Sequence, residues 1–347
     1  MANQKIGRQS FRFGKPPVIT AWASAAGKKE TEGPLGKSFD ITCPDSFWGE
    51  KTFEQAEQTM QRETLKLLLK KADLEPARLG MVFSGDLLNQ CISSSFCLRN
   101  TGIPHVGLYG ACSTMAEGLM LAAMAVGGGF TDCAAAMTSS HFASSERQYR
   151  FPLGYGGQRT PTSQWTVTGA GAALVAEQGP GIQILGCTVG SVVDLGIKDA
   201  GYMGAAMAPA AYRTIRSHFE DFGVTPDYYD LIVTGDLGQL GKDLLLEMSS
   251  RDHFPLGGKL ADCGSMIFDN TVQDVGCGGS GCGCSASVLC GELLGKLRRG
   301  ELKRILFCGT GALLSPLSTQ QGLAIPGICH AVSLQAGPGA NTHEPVR

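Results

Sequence analysis

The sequence predicts an α/β protein made of two half-copies of one unit, each half carrying a buried central helix. Two short segments support the duplication, because residues 79–87 read LGMVFSGDL and residues 229–237 read YDLIVTGDL, 150 positions later. A second pair follows in the same order: Cys112 and Cys284 each open a run of small and apolar residues and each precede a threonine by 26 positions. Self-similarity at a fixed offset is typical of a repeated architecture.

The first elements of the unit are a helix and a short strand. Apolar side chains at helical spacing predict an amphipathic helix over residues 51–71. Short runs without charge predict strands buried on both faces at residues 81–84 and, in the second half, 231–234. Residues 182–207 mix strand-like and loop-like pieces in no clear order.

The next element of each half is a helix opened by a cysteine. An apolar strand at residues 103–109 leads through a short turn into Cys112, and residues 113–126 then carry many small side chains and a single charge. A helix that is apolar on nearly all sides is itself buried, and small side chains let neighbouring backbones approach closely. We therefore expect two central helices covered by a sheet on either side, the second one opening at Cys284.

Composition and charge exclude several classes of protein. The net charge is −2 and no cluster of Lys and Arg stands out, so we expect no nucleic-acid partner. The longest uncharged apolar run, residues 118–130, is 13 residues long, shorter than a membrane-spanning helix, and the first residues resemble no secretory signal. The 13 cysteines without a signal suggest reduced thiols, and because no second pair has zinc-like spacing we expect no metal. The glycine-rich segments lack phosphate-loop and dinucleotide fingerprints, so no cofactor is expected.

Cys112 is the candidate reactive residue. The free N–H groups and the dipole at a helix N-terminus stabilise a thiolate and can also hold an anion. The residues leave two interpretations open, a functional thiol or a small buried side chain packed under the turn. The matching turn at residues 281–285 opens the second central helix. If a pseudo-twofold axis relates the halves, both helix N-termini approach one region, which would suit an anionic ligand.

With these features the chain resembles the thiolase and ketoacyl-synthase superfamily and, within it, the stage V sporulation protein AD family of spore-forming bacteria. The segments that carry the resemblance span nearly the whole chain, and they are residues 84–90, 109–114, 138–150, 155–158, 167–169, 203–211, 234–237 and 310–316. The resemblance implies a thiolase-like fold of five layers, αβαβα. We divide the chain into halves at residues 1–178 and 179–330, followed by a tail at 331–347.

The resemblance also implies a function. Members of this family are peripheral components of the spore channel for dipicolinic acid, which they bind free or as the calcium chelate. They act with integral membrane subunits of that channel at the spore inner membrane, in dipicolinate uptake during sporulation and its release in germination. The fold commonly pairs edge strands across a dimer, so we expect a homodimer. Attachment to the membrane would come through the partner subunits, because the chain shows no anchor.

The sequence differs from the enzymes of the superfamily at the positions of their catalytic residues. Ketoacyl synthases pair the helix-opening cysteine with a histidine and an asparagine from the second half. The resemblance places Gly235 and Asp236 where the histidine would stand, and Cys282 where the asparagine would stand. Those groups stabilise the oxyanion and assist carbon–carbon bond formation. We therefore favour a binding subunit without chemistry, with two alternatives: an acyltransferase that uses Cys112 as nucleophile, and a purely structural scaffold.

The candidate ligand-binding residues are those expected near the two helix openings. They are Cys112, His141, Arg147, Asp236, Cys282 and Cys284. His141, Arg147 and Arg150 follow a strand at residues 133–138, whose carboxyl end should open near Cys112. The arginines could instead form salt bridges on the surface, and His141 could be structural. Asp86 and Asp236 could cap turns, or one of them could repel free anions and favour the calcium chelate.

Overall fold

The computed structural model of the chain describes residues 2–149 and 159–337. The strands in these ranges are β1 Gln4–Ile6, β2 Ser10–Arg12, β3 Val18–Ala26, β4 Ile41–Thr42, β5 Met81–Gly85, β6 His105–Leu108, β7 Cys133–Ser140, β8 Trp165–Thr166, β9 Gly169–Ala176, β10 Ile182–Thr188, β11 Leu231–Thr234, β12 Leu260–Asp262, β13 Gly279–Ser280, β14 Arg304–Ala312 and β15 Gly327–Ala336. The helices are α1 Lys28–Thr31, α2 Phe53–Lys71, α3 Ile92–Leu98, α4 Thr114–Gly127, α5 Phe142–Tyr149, α6 Met203–Phe222, α7 Gly238–Arg251, α8 Cys263–Ile267, α9 Cys282–Val288, α10 Leu294–Arg298 and α11 Pro316–Gln320. A π turn at Leu289–Leu293 joins α9 to α10, so these segments form one long helix.

Two groups of five strands repeat the same order and the same directions. The first group is β3-β9-β7-β5-β6 and the second is β10-β15-β14-β11-β12. In each group the first three strands are antiparallel neighbours, and the last three are parallel neighbours. The groups meet where β10 pairs with β3 over two residue pairs. This repetition confirms the predicted duplication.

The central helices lie between the sheets. Helix α4 contacts β5 and β7 on one side and β14 and β15 on the other, and α9 packs against β7, β9 and α4. All seven residues of α9 are buried. On the outside, α2 covers β3 and β9, while α6 covers β14 and β15. The layers therefore follow the predicted αβαβα order. None of the helices in the described ranges combines the length and the hydropathy needed to cross a bilayer.

The predicted elements lie close to the observed ones. Strand β11 has the predicted bounds, and β5 is one residue longer than expected. Helix α2 begins at Phe53 rather than residue 51, because the Thr52 hydroxyl accepts a hydrogen bond from the Gln55 N–H at 3.2 Å and caps the first turn. Helix α4 begins at Thr114, since residues Ala111–Ser113 form a separate 3₁₀ turn ahead of it.

Strand β15 corrects the predicted tail. The second half is predicted to end at residue 330, but β15 continues to Ala336 between β14 and β10. Residues 331–334 are buried and pair with strands on both sides. A central strand needs a backbone partner along its whole length, so the boundary at residue 330 would cut the second sheet. Only residues 338–347 of the proposed tail lie outside the described residues.

Candidate functional site

A pocket opens where β5 and β14 end, above the first turns of the two central helices. The space between its lining residues that is free of atoms measures about 540 Å³, with the solvent at its open mouth included. Its apolar lining is formed by Leu87, Ala111, Ala200, Met203, Ala312 and Leu314. Its polar lining is formed by Cys112, Ser145, Glu146, Tyr149, Thr166 and Ser280. Both halves of the chain therefore contribute to the pocket.

Cys112 lies at the base of this pocket, with 7% of its surface exposed. It is the middle residue of the turn Ala111–Ser113 that leads into α4. Ala111 has a φ of 54°, in the left-handed region that is unfavourable for residues other than glycine. The Ser113 hydroxyl donates to the Gly110 carbonyl at 2.7 Å and holds the turn closed. Strain of this kind persists where the surrounding structure fixes a functional geometry.

Asp236 lies directly beneath Cys112 and is fully buried. Its carboxylate accepts hydrogen bonds from the Thr310 hydroxyl at 2.8 Å, the Gly281 N–H at 2.9 Å and the Ser280 hydroxyl at 3.2 Å. The Cys112 thiol lies close enough to this carboxylate for each group to affect the pKa of the other. Asp236, a predicted ligand-binding residue, holds the pocket residue Ser280 but does not itself line the pocket.

The electrostatics of this pair oppose ionisation of the thiol. Burial raises the pKa of Cys112 well above its ordinary value, and the charge of Asp236 raises it further. Burial also raises the pKa of Asp236, although the hydrogen bonds from Cys112 and Gly281 act against that shift. A nucleophilic cysteine needs the reverse, a lowered pKa or an adjacent base that removes its proton. Burial and the neighbouring carboxylate therefore both favour the protonated thiol.

Cys282 and Cys284 lie underneath the pocket lining, which corrects the prediction that they contact a ligand. Both are fully buried, and helix α9 begins at Cys282, two residues before the predicted start. Gly281 precedes it with a φ of 102°, which only glycine adopts readily. The Cys282 thiol donates to the Ser139 carbonyl at 3.0 Å, and Cys282 packs beside Cys112. Within the described ranges, no three His, Cys, Asp or Glu side chains are arranged to hold a metal ion.

His141 does not reach the pocket. Its side chain is 2% exposed, its Nε2 donates to the Ser46 carbonyl at 2.8 Å, and its Nδ1 accepts from the Ala143 N–H at 3.2 Å. Burial lowers the pKa of His141, so the neutral form is favoured. Both ring nitrogens are used by the backbone, and the prediction of a ligand-binding histidine is corrected to a structural one.

Arg147 lies on a separate groove. It forms an ion pair with Glu54, and both side chains line that groove together with Asn89 and Gln148. The prediction that Arg147 contacts a ligand at Cys112 is therefore wrong, and the salt-bridged alternative describes its position. Arg150 lies outside the described residues, as does the segment 155–158.

Helix α5 supplies pocket residues that sequence reasoning missed. Ser145, Glu146 and Tyr149 line one wall, and the Tyr149 hydroxyl donates to the Leu87 carbonyl at 2.5 Å. Glu146 forms an ion pair with Arg159 at 2.8 Å. These residues lie in the segment 138–150 that carried the family resemblance. Tyr149 follows Ser145 by four positions and Glu146 by three. This spacing could have placed Tyr149 beside both of them on one face of a helix.

Glu57 and Asp86 belong to a buried network of acids and hydroxyl groups that does not itself line the pocket. Glu57 of α2 accepts from the Ser139 hydroxyl at 2.9 Å and the Ser144 hydroxyl at 2.8 Å. Burial, with a further effect of the nearby Asp86, raises the pKa of Glu57 to about 8. Asp86 accepts from the Leu88 N–H at 2.9 Å, which confirms it as a turn cap. The network thus ties α2, α5 and the loop after β5 together.

Comparisons with known proteins agree with this architecture. The family model described as stage V sporulation protein AD matches residues 7–335. The stage V sporulation protein AD of Bacillus subtilis is 42% identical over 335 residues, covering 96% of this chain and 99% of the relative. Among solved structures, 3-oxoacyl-[acyl-carrier-protein] synthase III of Aquifex aeolicus has 16% identity and a TM-score of 0.55, covering 92% of this chain and 99% of that one. Cerulenin-bound OleA of Xanthomonas campestris has 16% identity and a TM-score of 0.60, covering 93% and 97%. These structures share the fold.

Proposed function

The chain belongs to the stage V sporulation protein AD family, and on that premise we propose that it binds dipicolinic acid, free or as the calcium chelate, in the pocket at Cys112. It does so as a peripheral subunit without chemistry of its own, together with integral membrane subunits of the spore inner-membrane channel. Its role is dipicolinate uptake in sporulation and release in germination. The observation that carries the proposal is a pocket, lined by both halves of the chain, at a thiol whose pKa is raised rather than lowered.

The surroundings of Cys112 disfavour the acyltransferase alternative. A ketoacyl synthase needs a thiolate and donors for the oxyanion. Here Asp236 stands beneath Cys112 and raises the pKa of the thiol, and the fully buried Cys282 packs beside it. The alternative requires a covalent adduct on Cys112 after incubation with acyl thioesters. Binding without such an adduct is what the geometry supports.

The charge of the pocket favours the calcium chelate over the free dianion. Glu146 lines the pocket and Asp236 lies below it, and the described lining residues include no Lys or Arg. Arg159 is already held by Glu146. A free dianion would bring further negative charge into a poorly solvated site, which is unfavourable. A chelate of one calcium ion and one dipicolinate carries no net charge.

Calorimetric titration with dipicolinate, with and without calcium, tests the proposal. We expect wild-type protein to bind, and to bind more tightly when calcium is present. Leu314→Trp should weaken binding by about tenfold or more, because the larger side chain fills the mouth of the pocket. Arg147→Glu is the matched control: it changes a charge on the separate groove, so affinity should stay unchanged. Wild-type protein that binds neither form would contradict the proposal.

We also propose a homodimer formed through strand β6. Within the described residues this strand pairs only with β5, and its outer edge carries Val106, 43% exposed, next to Tyr109, 51% exposed. An exposed apolar edge of this kind is a template for pairing with a second copy. Light scattering should give twice the chain mass for the wild type and a monomer for Val106→Arg. Val272→Arg, at a side chain 79% exposed in the loop between α8 and β13, should remain dimeric. A monomeric wild type would contradict the proposal.

A further inference from the structure

Ser145 carries a hydroxyl that has no hydrogen-bond partner in the part of the chain that the structure describes. The residue is 2% exposed, it lines the pocket, and its Oγ has no hydrogen-bond partner among the described residues. The preceding Ser144 differs, because its hydroxyl donates to Glu57 at 2.8 Å and contacts the His141 carbonyl at 3.1 Å. A serine in a helix usually bonds back to a carbonyl of the preceding turn, as Ser144 does. A buried hydroxyl without a partner is costly and needs an explanation.

The other hydroxyl groups of the pocket wall already have partners. Thr166 donates to Glu146 at 2.9 Å, Ser280 donates to Asp236 at 3.2 Å, and Tyr149 donates to the Leu87 carbonyl at 2.5 Å. The apolar side chains of the lining supply no donors. Of the described lining residues, Ser145 is therefore the one whose hydroxyl remains available to an incoming ligand.

We propose that Ser145 is the specificity-determining residue of this pocket, donating a hydrogen bond to an oxygen of the bound carboxylate ligand. The assignment rests on the proposed function of the pocket. A ligand that offers an acceptor at this point satisfies a hydroxyl that is otherwise unpaired, whereas an apolar ring of the same shape leaves it buried and unpaired. Apolar walls alone accept any ring of suitable size, so this hydroxyl selects for the carboxylate.

Ser145→Ala and Ser144→Ala form a matched pair that tests the assignment. With calcium dipicolinate as the probe, Ser145→Ala should bind about tenfold more weakly than the wild type, since one charge-assisted hydrogen bond is lost. Without ligand, its melting temperature should equal or exceed that of the wild type, because the change removes an unpaired hydroxyl. Ser144→Ala should show the opposite pattern, a lower melting temperature with unchanged affinity, since it loses the bond to Glu57.

The outcomes separate this assignment from the proposed function. If the wild type binds and Ser145→Ala binds equally well, Ser145 is not the selecting residue while the function stands. If Ser145→Ala melts well below the wild type without ligand, the hydroxyl is structural and the assignment is also overturned. A wild type that binds neither dipicolinate nor its chelate overturns the proposed function and this assignment with it.

Discussion

Gly171→Val is expected to abolish cooperative folding. Gly171 lies in β9 at the point where this strand touches the central helix α9. A Cβ atom at this position would lie 2.3 Å from the Ala286 carbonyl oxygen and 2.5 Å from its carbon. Both are backbone atoms of a buried helix, so neither can rotate away, and the helix would have to leave the sheet. Circular dichroism melts of the purified variant should lack the sharp transition expected of the wild type.

Gly258→Val provides the matched control for this prediction. Gly258 is exposed, and a Cβ atom there would meet nothing within 4 Å. The same substitution should therefore change the melting temperature by only a few degrees. If Gly171→Val melts like this control, the close contact between β9 and α9 would be contradicted. Chromatography of both variants on the same column would show whether the first one is soluble but expanded.

The fold could be predicted from the sequence because its repeating features are local. A short charge-free run predicts a buried strand, and a helix of small side chains predicts its own burial, so β5, β11 and α4 were found close to their true bounds. Abundant glycine predicted close approach of backbones in general. It could not single out Gly171, because which glycine touches a helix depends on the packing of elements that are distant in sequence.

The site was harder to predict, because the role of each side chain depends on its hydrogen-bond partners and on its exposure to the pocket. Cys112 and Asp236 each follow the end of a strand, β6 and β11, and the sequence places both among the candidate site residues. His141 carries the chemistry expected of a ligand, but the loop that holds Ser46 uses its ring nitrogen, and nothing near His141 in the sequence indicates that loop. Ser145 has no unusual sequence neighbours. Ser145 differs from Ser144 because it lines the pocket at Cys112, whereas Ser144 does not.

Asp236→Asn is expected to make Cys112 react about tenfold faster, or more, with iodoacetamide at pH 8. The carboxylate raises the pKa of the thiol by its charge and by accepting the thiol proton. A neutral amide removes the charge, the pKa falls, and a fall of one unit raises the thiolate fraction about tenfold below the pKa. The asparagine oxygen can still accept from Gly281 and Ser280, with its amide nitrogen facing the Thr310 hydroxyl, so the fold should persist.

The pH profile of this reaction gives the sharper test. Peptide mass spectrometry after timed labelling should show the rate at Cys112 rising about tenfold per pH unit across the alkaline range in the wild type, because the pKa of the thiol lies above that range. In Asp236→Asn each labelling rate should be reached at a lower pH than in the wild type. Cys282 is an internal control, since it is fully buried and should stay unlabelled in both proteins. A wild-type Cys112 that is labelled rapidly at pH 7 would indicate an activated nucleophile and would favour the acyltransferase. Slow labelling that Asp236→Asn accelerates would identify the carboxylate as the group that keeps the thiol protonated.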